Sequence, residues 1–268
     1  MSHYRIEAAT GQHIGDRSEQ QDRAGVFTSA NAPGYVLAVL ADGMGGLSGG
    51  AMAAEQVLRT AQQLFEQFVP GTDDPEKMLE TIGHESHMII NLSGMSSEKQ
   101  PHSTMVALLL TPEHSAIWAH VGDSRLYRFS GPNFVERTYD HSLVEKLVGE
   151  GRVAPADAGA HRLAHVLMNV LGTSNTSIFV SINRHDQVRP GDGFLLCSDG
   201  LWHYFDEAEL GAAITMGSPR ETCEMLVRKS RERAAGSKSD NCTMIVARVF
   251  DVPEEKPRVK ATPLRRAV

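Results

Sequence analysis

The chain has 268 residues, of which 41% are hydrophobic and 22% charged, a composition typical of an ordinary globular protein. Its formal net charge of −7 argues against nucleic-acid binding, because proteins that bind nucleic acids usually carry a basic face. Every apolar run is shorter than the 18 residues that indicate a membrane-spanning helix, and the N-terminus MSHYRIEAAT lacks the pattern of a signal peptide. We therefore expect a cytoplasmic protein that binds neither nucleic acid nor membrane.

The first elements are predicted to be strands followed by two helices. A short strand is expected over 24–27. The run YVLAVLA over 35–41 is continuously apolar, which is typical of a strand covered on both faces. A glycine-rich segment follows it. Apolar residues then recur at helical spacing, which predicts helices over about 51–68 and 74–92. Asp74-Pro75 is expected to supply the cap and the first residue of the second helix.

The middle of the chain predicts more strands and then an irregular segment. Strands are expected over 104–110, 115–121 and 125–129. Because the links between them are hairpin-sized, they are predicted to form an antiparallel meander. The segment 140–172 differs, with a short helix over 142–149, a loop and a second helical piece over 160–171. We interpret 140–172 as a flap.

The remaining elements are predicted strands over 177–184 and 192–198, helices over 206–216 and 218–234, and a last strand over 242–250. This order is not the regular alternation of a doubly wound fold. It favours an α+β class, with a central antiparallel β-sandwich flanked by antiparallel helix pairs in α-β-β-α layers. One catalytic domain is expected over 1–250. Residues 251–268, rich in proline and basic residues, are predicted to form a mobile tail, and a monomer is the expected state.

Acidic residues stand at the ends of several predicted strands. Asp42 follows YVLAVLA, Asp199 follows the apolar run FLLC, and each precedes a glycine. Asp240 opens the last strand. Buried carboxylates are costly unless they are paired or bind a metal, and converging carboxylates suit hard ions such as Mg²⁺ or Mn²⁺. Gly43 would let its carbonyl approach the same ion. Each motif alone also fits a plain turn, but the repeated arrangement favours a metal site.

Two other motifs add candidates for the same site. Arg17 stands just before Gln20-Gln21-Asp22, and an arginine fork is a natural ligand for phosphate, although most single arginines are surface residues. Asp123, between two predicted strands, fits either an additional ion or a tight hairpin. The residues themselves therefore favour a metal-dependent hydrolase acting on phosphate esters.

In this order and at these separations, the motifs resemble those of the metal-dependent protein phosphatases of type 2C (the PPM family), in particular their compact bacterial members. The resemblance covers roughly residues 6–249. Its parts are Arg17-x-x-Gln20-Gln21-Asp22, Asp42-Gly43-Met44-Gly45-Gly46, Ser103-Thr104, Gly122-Asp123-Ser124-Arg125, Asp140-His141-Ser142, Leu171-Gly172, Ser198-Asp199-Gly200 and Asp240-Asn241. It implies a serine/threonine protein phosphatase whose metals lie at one end of a β-sandwich.

The resemblance also implies roles for particular residues. Asp42 would bridge two Mn or Mg ions. Asp199 and Asp240 would ligate one of them, and the backbone carbonyl of Gly43 the other. Asp22 would hold metal-bound waters.

Three further implications concern the substrate and an optional ion. Arg17 would bind the substrate phosphate, and Asp123, together with Asp199, would form the site of a third, weaker metal. The flap would help to choose substrates. Two ions a few Å apart, about 3.5–4 Å in such sites, acidify a bridging water and stabilise the oxygens of an in-line displacement.

Three residues depart from the family pattern. Met44 replaces the histidine that is the proposed general acid of eukaryotic relatives, and a metal-bound water is our candidate for that proton donor. Gln20 replaces an asparagine, and His102 replaces a glycine.

We expect an enzyme that hydrolyses phosphoserine and phosphothreonine in proteins and opposes a partner Ser/Thr kinase, the kinase being implied by family analogy alone. One alternative is a regulatory phosphatase with a single phosphoprotein substrate. Another is a non-catalytic phosphoprotein-binding module on the same fold. A decayed site should have lost a ligand, and Asp42, Asp199 and Asp240 are all present, which favours the enzyme.

Overall fold

The computed structural model describes residues 4–45, 48–95, 100–159, 161–174, 176–236 and 238–252. Most of the predicted tail, 253–268, lies outside these ranges. The strands are β1 (Tyr4–His13), β2 (Arg23–Ser29), β3 (Ala32–Ala41), β4 (Gly43–Met44), β5 (His102–Ser103), β6 (Met105–Leu110), β7 (Ala116–Val121), β8 (Arg125–Ser130), β9 (Asn133–Arg137), β10 (Ser181–His185), β11 (Asp192–Cys197) and β12 (Cys242–Asp251). The helices are α1 (Ser48–Gln67), α2 (Pro75–Gly94), α3 (Leu143–Gly149), α4 (Asp199–Trp202), α5 (Glu207–Thr215) and α6 (Pro219–Arg233), with a 3₁₀ turn at Pro155–Asp157.

Two five-stranded antiparallel sheets form the centre of the fold. Their strand orders are β1-β12-β11-β8-β9 and β10-β7-β6-β3-β2. One apolar cluster lies between the sheets, a second joins the β3 sheet to α1 and α2, and a third joins the β12 sheet to α5 and α6. The predicted α-β-β-α layering is therefore confirmed.

The continuous apolar run of β3 is explained by its position between two apolar layers. Leu37 and Val39 belong to the cluster shared with the helices, whereas Ala38 and Leu40 belong to the cluster between the sheets. Successive side chains point to opposite faces of a strand, and both faces are covered here. A strand buried on both sides needs apolar residues at every position.

The predicted start of the second helix is also confirmed. The side chain of Asp74 accepts hydrogen bonds from the backbone N–H groups of Glu76 and Lys77, and Pro75 is the first helical residue. Such a cap satisfies N–H groups that have no partner within the helix. No helix in the described part of the chain is long and apolar enough to cross a membrane.

The predicted three-strand meander is wrong. β6 and β7 pair with each other, but β8 pairs with β9 and β11 in the other sheet. The link that contains Asp123 therefore crosses from one sheet to the other and is not a hairpin. Gly122 has a φ of +104°, and a Cβ added there would lie 2.7 Å from Thr104 Cγ2. A hairpin within one sheet and a crossing between two sheets can use a link of the same short length, so the sequence of the link could not distinguish these two connections.

The predicted helix over 160–171 is also wrong. Its described residues form turns and two isolated bridges, Ser142 with Leu167 and Ser103 with Leu171. Tertiary hydrogen bonds replace helical ones here, since the Leu143 N–H donates to the Val166 carbonyl. Strands β1 and β9 were not predicted. β1 pairs with β12 along its whole length, and most of its residues are only half-buried, so its sequence lacks an apolar pattern.

Candidate active site

A cavity of about 620 Å³ opens at the end of the sandwich where β3 and β11 finish and β12 begins. The structure brings nearly all of the predicted site residues to this cavity. Its lining includes Arg17, Asp42, Gly43, Asp123, Asp199 and Asp240, together with Met44 and His165. Asp22 is not part of the lining and is only 1% exposed. Four aspartates from separate parts of the chain thus face one space.

Asp42 is held in place through its backbone. Its N–H donates to Thr104 Oγ1 at 2.9 Å, and its carbonyl accepts from the Thr104 N–H at 2.9 Å and from Ser103 Oγ at 3.2 Å. Burial raises the pKa of Asp42 well above its ordinary value, and the negative charge of Asp22 raises it further. The other three carboxylates of the site act in the same direction. Burial without compensating charge disfavours the ionised form.

Asp22 lies beneath the cavity, next to the start of β12. Ser198 Oγ donates to Asp22 Oδ2 at 2.8 Å, and the Thr243 N–H donates to Ser198 Oγ at 3.1 Å. Burial raises the pKa of Asp22 to about 6, although the hydroxyls of Ser198 and Thr243 oppose the rise. Among the described residues, Asp22 Oδ1 has no hydrogen-bond partner of normal geometry. An orphaned buried oxygen of this kind calls for a water or an ion.

Asp199 and Asp123 form another side of the cavity. Asp199 is the first residue of α4, and burial raises its pKa, while the neighbouring His203 lowers it. Burial raises the pKa of Asp123 to about 7, and the charges of Asp199 and Asp140 add to this effect. The Asp123 carbonyl accepts a hydrogen bond from Trp202 Nε1 at 3.1 Å, which fixes the crossing link to α4.

Arg17 and Asp240 form an ion pair at the cavity wall. The distance from Arg17 Nη2 to Asp240 Oδ2 is 2.5 Å, and the Arg17 side chain is 61% exposed. The hydrogen bond to Asp240 raises the pKa of Arg17. The predicted phosphate ligand is therefore at the site, with its guanidinium directed at a predicted metal ligand.

The donor set of the cavity fits hard divalent cations. It offers carboxylates and backbone carbonyls, the groups that Mg²⁺ and Mn²⁺ prefer, and it carries more buried negative charge than the chain neutralises. Among the described residues, no three His, Cys, Asp or Glu side chains form a ready-made metal cage. Two features explain the lack of a ready-made cage. Ions of this kind keep several waters in their coordination shell, so they need few protein ligands. In addition, the Asp240 carboxylate is turned towards Arg17.

Asn241 is a structural residue of the site whose function the sequence did not reveal. Its Oδ1 accepts from the Gln21 N–H at 2.7 Å, and its Nδ2 donates to the carbonyls of Ile14 and Glu19. These bonds tie the loop that carries Arg17 and Asp22 to the start of β12. Only its position beside Asp240 could have marked it as a candidate.

Gly43 has a packing role that the position of its motif in the sequence did not reveal. A Cβ at this position would lie 2.1 Å from the Gly50 carbonyl oxygen and 2.8 Å from that of Gln21. The glycine is therefore required because helix α1 begins directly against the strand end. Met44, one residue further on, pairs across the small β4–β5 sheet with His102. Burial lowers the pKa of His102.

His165 was also missed by the sequence reasoning. It lines the cavity from the predicted flap, and its ring centroid lies 5.6 Å from that of His203. No motif surrounds it in the sequence, so no local signal could have singled it out.

An acidic cavity at one end of a two-sheet sandwich, flanked by helix pairs, is the arrangement expected of a metal-dependent phosphatase. The family model for protein phosphatase 2C matches residues 11–235. The chain therefore belongs to the protein phosphatase 2C family. The predicted enzyme class, a 2C-type Ser/Thr protein phosphatase, is confirmed by this match, and the prediction that the enzyme acts on phosphorylated proteins follows from the class.

Individual relatives agree with the family match. The chain is 28% identical over 226 residues to protein phosphatase PhpP of Streptococcus pneumoniae, an alignment that covers 79% of this chain and 85% of PhpP. It is 28% identical over 218 residues to the Ser/Thr protein phosphatase PstP of Mycobacterium tuberculosis, covering 81% of this chain but only 41% of that protein.

Solved structures show the same fold. The serine/threonine phosphatase of S. agalactiae superposes with a TM-score of 0.82 at 24% identity and covers 92% of this chain and 100% of that chain. The catalytic domain of PstP in complex with two manganese ions superposes with a TM-score of 0.77 at 26% identity, covering 92% of this chain and 99% of that one. A relative with this fold thus binds two manganese ions.

Proposed function

We propose that this cavity hydrolyses phosphoserine and phosphothreonine side chains of proteins, with two divalent ions held mainly by Asp42, Asp199 and Asp240. The observation that carries the proposal is the convergence of carboxylates on one cavity, where burial and neighbouring negative charges raise the pKa values of Asp42, Asp123 and Asp199. Such a group of carboxylates is costly without cations and favourable with them.

The residues fit two Mn or Mg ions in specific ways. Asp42, which feels the charges of Asp22, Asp199, Asp123 and Asp240, would be shared between them. Asp199 and Asp240 would hold one ion, and the Gly43 carbonyl the other. Asp22, buried behind Asp42, would orient waters on the ions. Asp123 would hold a third ion together with Asp199. When bound, the ions supply an acidified water and neutralise charge on the oxygens of an in-line displacement.

Arg17 supplies the substrate-binding charge in this proposal. Its guanidinium is exposed at the cavity wall and already paired with a carboxylate, so an incoming phosphate would replace Asp240 as its partner. Arginine binds phosphate oxygens in a bidentate manner. Once Asp240 is released, its carboxylate is free for an ion, so binding of substrate and binding of metal would support each other. We further propose a cytoplasmic monomer, and analogy with the family adds a Ser/Thr kinase that the enzyme opposes.

The direct test is hydrolysis of a phosphothreonine peptide by the purified chain. We expect no turnover in EDTA and turnover restored by Mn²⁺ or Mg²⁺, because the carboxylates need cations to ionise together. Phosphate release measures the reaction, and p-nitrophenyl phosphate serves as a second substrate. Metal binding without hydrolysis of either substrate would instead support a narrowly specific phosphatase or the phosphoprotein-binding module.

Replacing Arg17 should weaken substrate binding. Arg17→Ala is expected to raise the KM for the phosphothreonine peptide about tenfold, a loss of ~1.4 kcal/mol typical of one exposed charge-assisted contact, with a smaller change in kcat. Steady-state kinetics at saturating Mn²⁺ measures both constants. Arg220→Ala, on the exposed surface of α6, is the matched control. A normal KM in Arg17→Ala would remove this residue from the phosphate site.

A further inference from the structure

A second cavity, of about 940 Å³, lies on the side of the sandwich next to α3. We call it the lateral groove and define it by Phe134, Tyr139, Glu145, Met168, Phe179 and Glu207. Its large apolar side chains are unusually exposed: Tyr139 is 70%, Phe179 56% and Met168 52% exposed. Clusters of exposed apolar side chains framed by polar residues mark binding surfaces.

The rim of the lateral groove is acidic. Four carboxylates and two basic side chains line it: Glu136, Asp140, Glu145, Glu207, Arg137 and Lys146. Asp140 is already paired with Arg125 at 2.8 Å, and Glu136 with Arg128 at 2.7 Å. Glu145 and Glu207 share one cation, Arg137, at 3.5 Å and 4.0 Å, so one negative charge of this pair is left without a partner cation in the described part of the chain. A basic partner would complement the charge that remains.

The lateral groove also lies between the free edges of both sheets. Its lining includes residues of β9 and β10, and each of these is the outer strand of its sheet. Backbone groups on the open side of an outer strand can pair with an added extended chain. The groove is therefore better suited to an extended peptide than to a compact small molecule.

One short segment separates the lateral groove from the active site. His165 and Leu167 line the active-site cavity, whereas the next residue, Met168, lines the groove. This segment is anchored by the Met168 N–H, which donates to the His141 carbonyl at 2.8 Å. Consecutive Cα atoms are about 3.8 Å apart, so the lining of the groove begins directly beside the lining of the active site.

We propose that the lateral groove binds an extended segment of the phosphoprotein substrate that carries a large apolar and a basic side chain a few residues from the phosphorylated residue. This inference rests on the proposed function of the active site. The apolar side chain would pack on Tyr139, Met168 and Phe179, and the basic one would meet Glu145 or Glu207. The enzyme would then select substrates by sequence at a site separate from the ions.

Two phosphothreonine peptides with a common core test this proposal. One peptide carries Leu and Arg together about five residues before the phosphothreonine and again about five residues after it. The other peptide carries Ser and Glu at the same positions. We expect kcat/KM of the wild-type protein with Mn²⁺ to be about tenfold higher for the first peptide. Hydrolysis of p-nitrophenyl phosphate, which is too small to reach the groove, measures basal activity.

Matched variants locate the effect. Met168→Ala should reduce the preference to about threefold or less, whereas Met88→Ala, an equally exposed methionine on α2, should keep it. Glu145→Gln should weaken the preference for the peptide that carries Arg, and Glu224→Gln on α6 should not. Hydrolysis of p-nitrophenyl phosphate should be unchanged in all four variants.

The outcomes separate this inference from the proposed function. Absence of hydrolysis of every substrate would contradict the phosphatase site itself. Normal hydrolysis of p-nitrophenyl phosphate without a peptide preference would overturn the groove proposal alone.

Discussion

Asp42→Ala and Asp199→Ala are each expected to reduce turnover of a phosphothreonine peptide by about a thousandfold or more while the chain stays folded. Uncatalysed hydrolysis of a phosphate monoester is extremely slow, and positioned cations supply most of the acceleration in a site of this kind. Losing a shared ligand such as Asp42 would affect both ions at once. Losing Asp199 would affect one ion and, through Asp123, the optional third.

The measurement combines phosphate release at saturating Mn²⁺ with circular dichroism and thermal unfolding. Asp73→Ala, in the loop between α1 and α2, is the control for removing a carboxylate outside the site. The folded state should tolerate the active-site changes, because the buried charge of Asp42 is unfavourable in the metal-free protein. Unchanged turnover in either variant, with a normal thermal transition, would contradict the two-ion assignment.

Asp22→Asn is expected to stabilise the metal-free protein at pH 8 and to have little effect near pH 4. Burial raises the pKa of folded Asp22 to about 6 from an ordinary value of 3.8. Below pH 3.8 both folded and unfolded chains keep the proton, so its removal changes nothing. As the pH rises from 3.8 to 6, the unfolded chain loses the proton first, and the wild-type protein loses stability that the asparagine variant retains.

A shift of about two pKa units corresponds to ~3 kcal/mol in the free energy of unfolding. Asparagine can still accept the hydrogen bond from Ser198, so the comparison isolates the charge. Several histidines, among them His141, have pKa values lowered by burial and give the opposite pH trend, but they are common to both proteins and cancel in the difference.

Urea unfolding in EDTA at pH 4.5 and pH 8 measures this difference. Addition of Mn²⁺ at pH 8 should stabilise the wild-type protein more than the variant, because cations offset the charge of Asp22. An equal difference at both pH values, or a variant that is less stable at pH 8, would show that Asp22 is not an uncompensated buried carboxylate.

Much of the fold was predictable because its signals are local. Apolar residues on both faces indicate the buried strand β3, and Asp74 and Pro75 indicate the start of α2. The polar strand β1 was not predictable. Its place in the sheet depends on β12, more than 200 residues away along the chain, and not on its own composition.

The composition of the candidate site was also predictable, since strands that end in Asp-Gly bring carboxylates to strand ends. The sequence by itself therefore determined the family, the layers of the fold and the residue types at the cavity. Only the tertiary structure decided how those residues are used. It buries Asp22 behind the cavity, pairs Arg17 with Asp240, and sends the Asp123 link from one sheet to the other. Long-range packing also separates the lateral groove from the active site by a segment in which neighbouring residues face different cavities. Contacts of this kind join residues far apart in the chain, so no local sequence pattern predicts them.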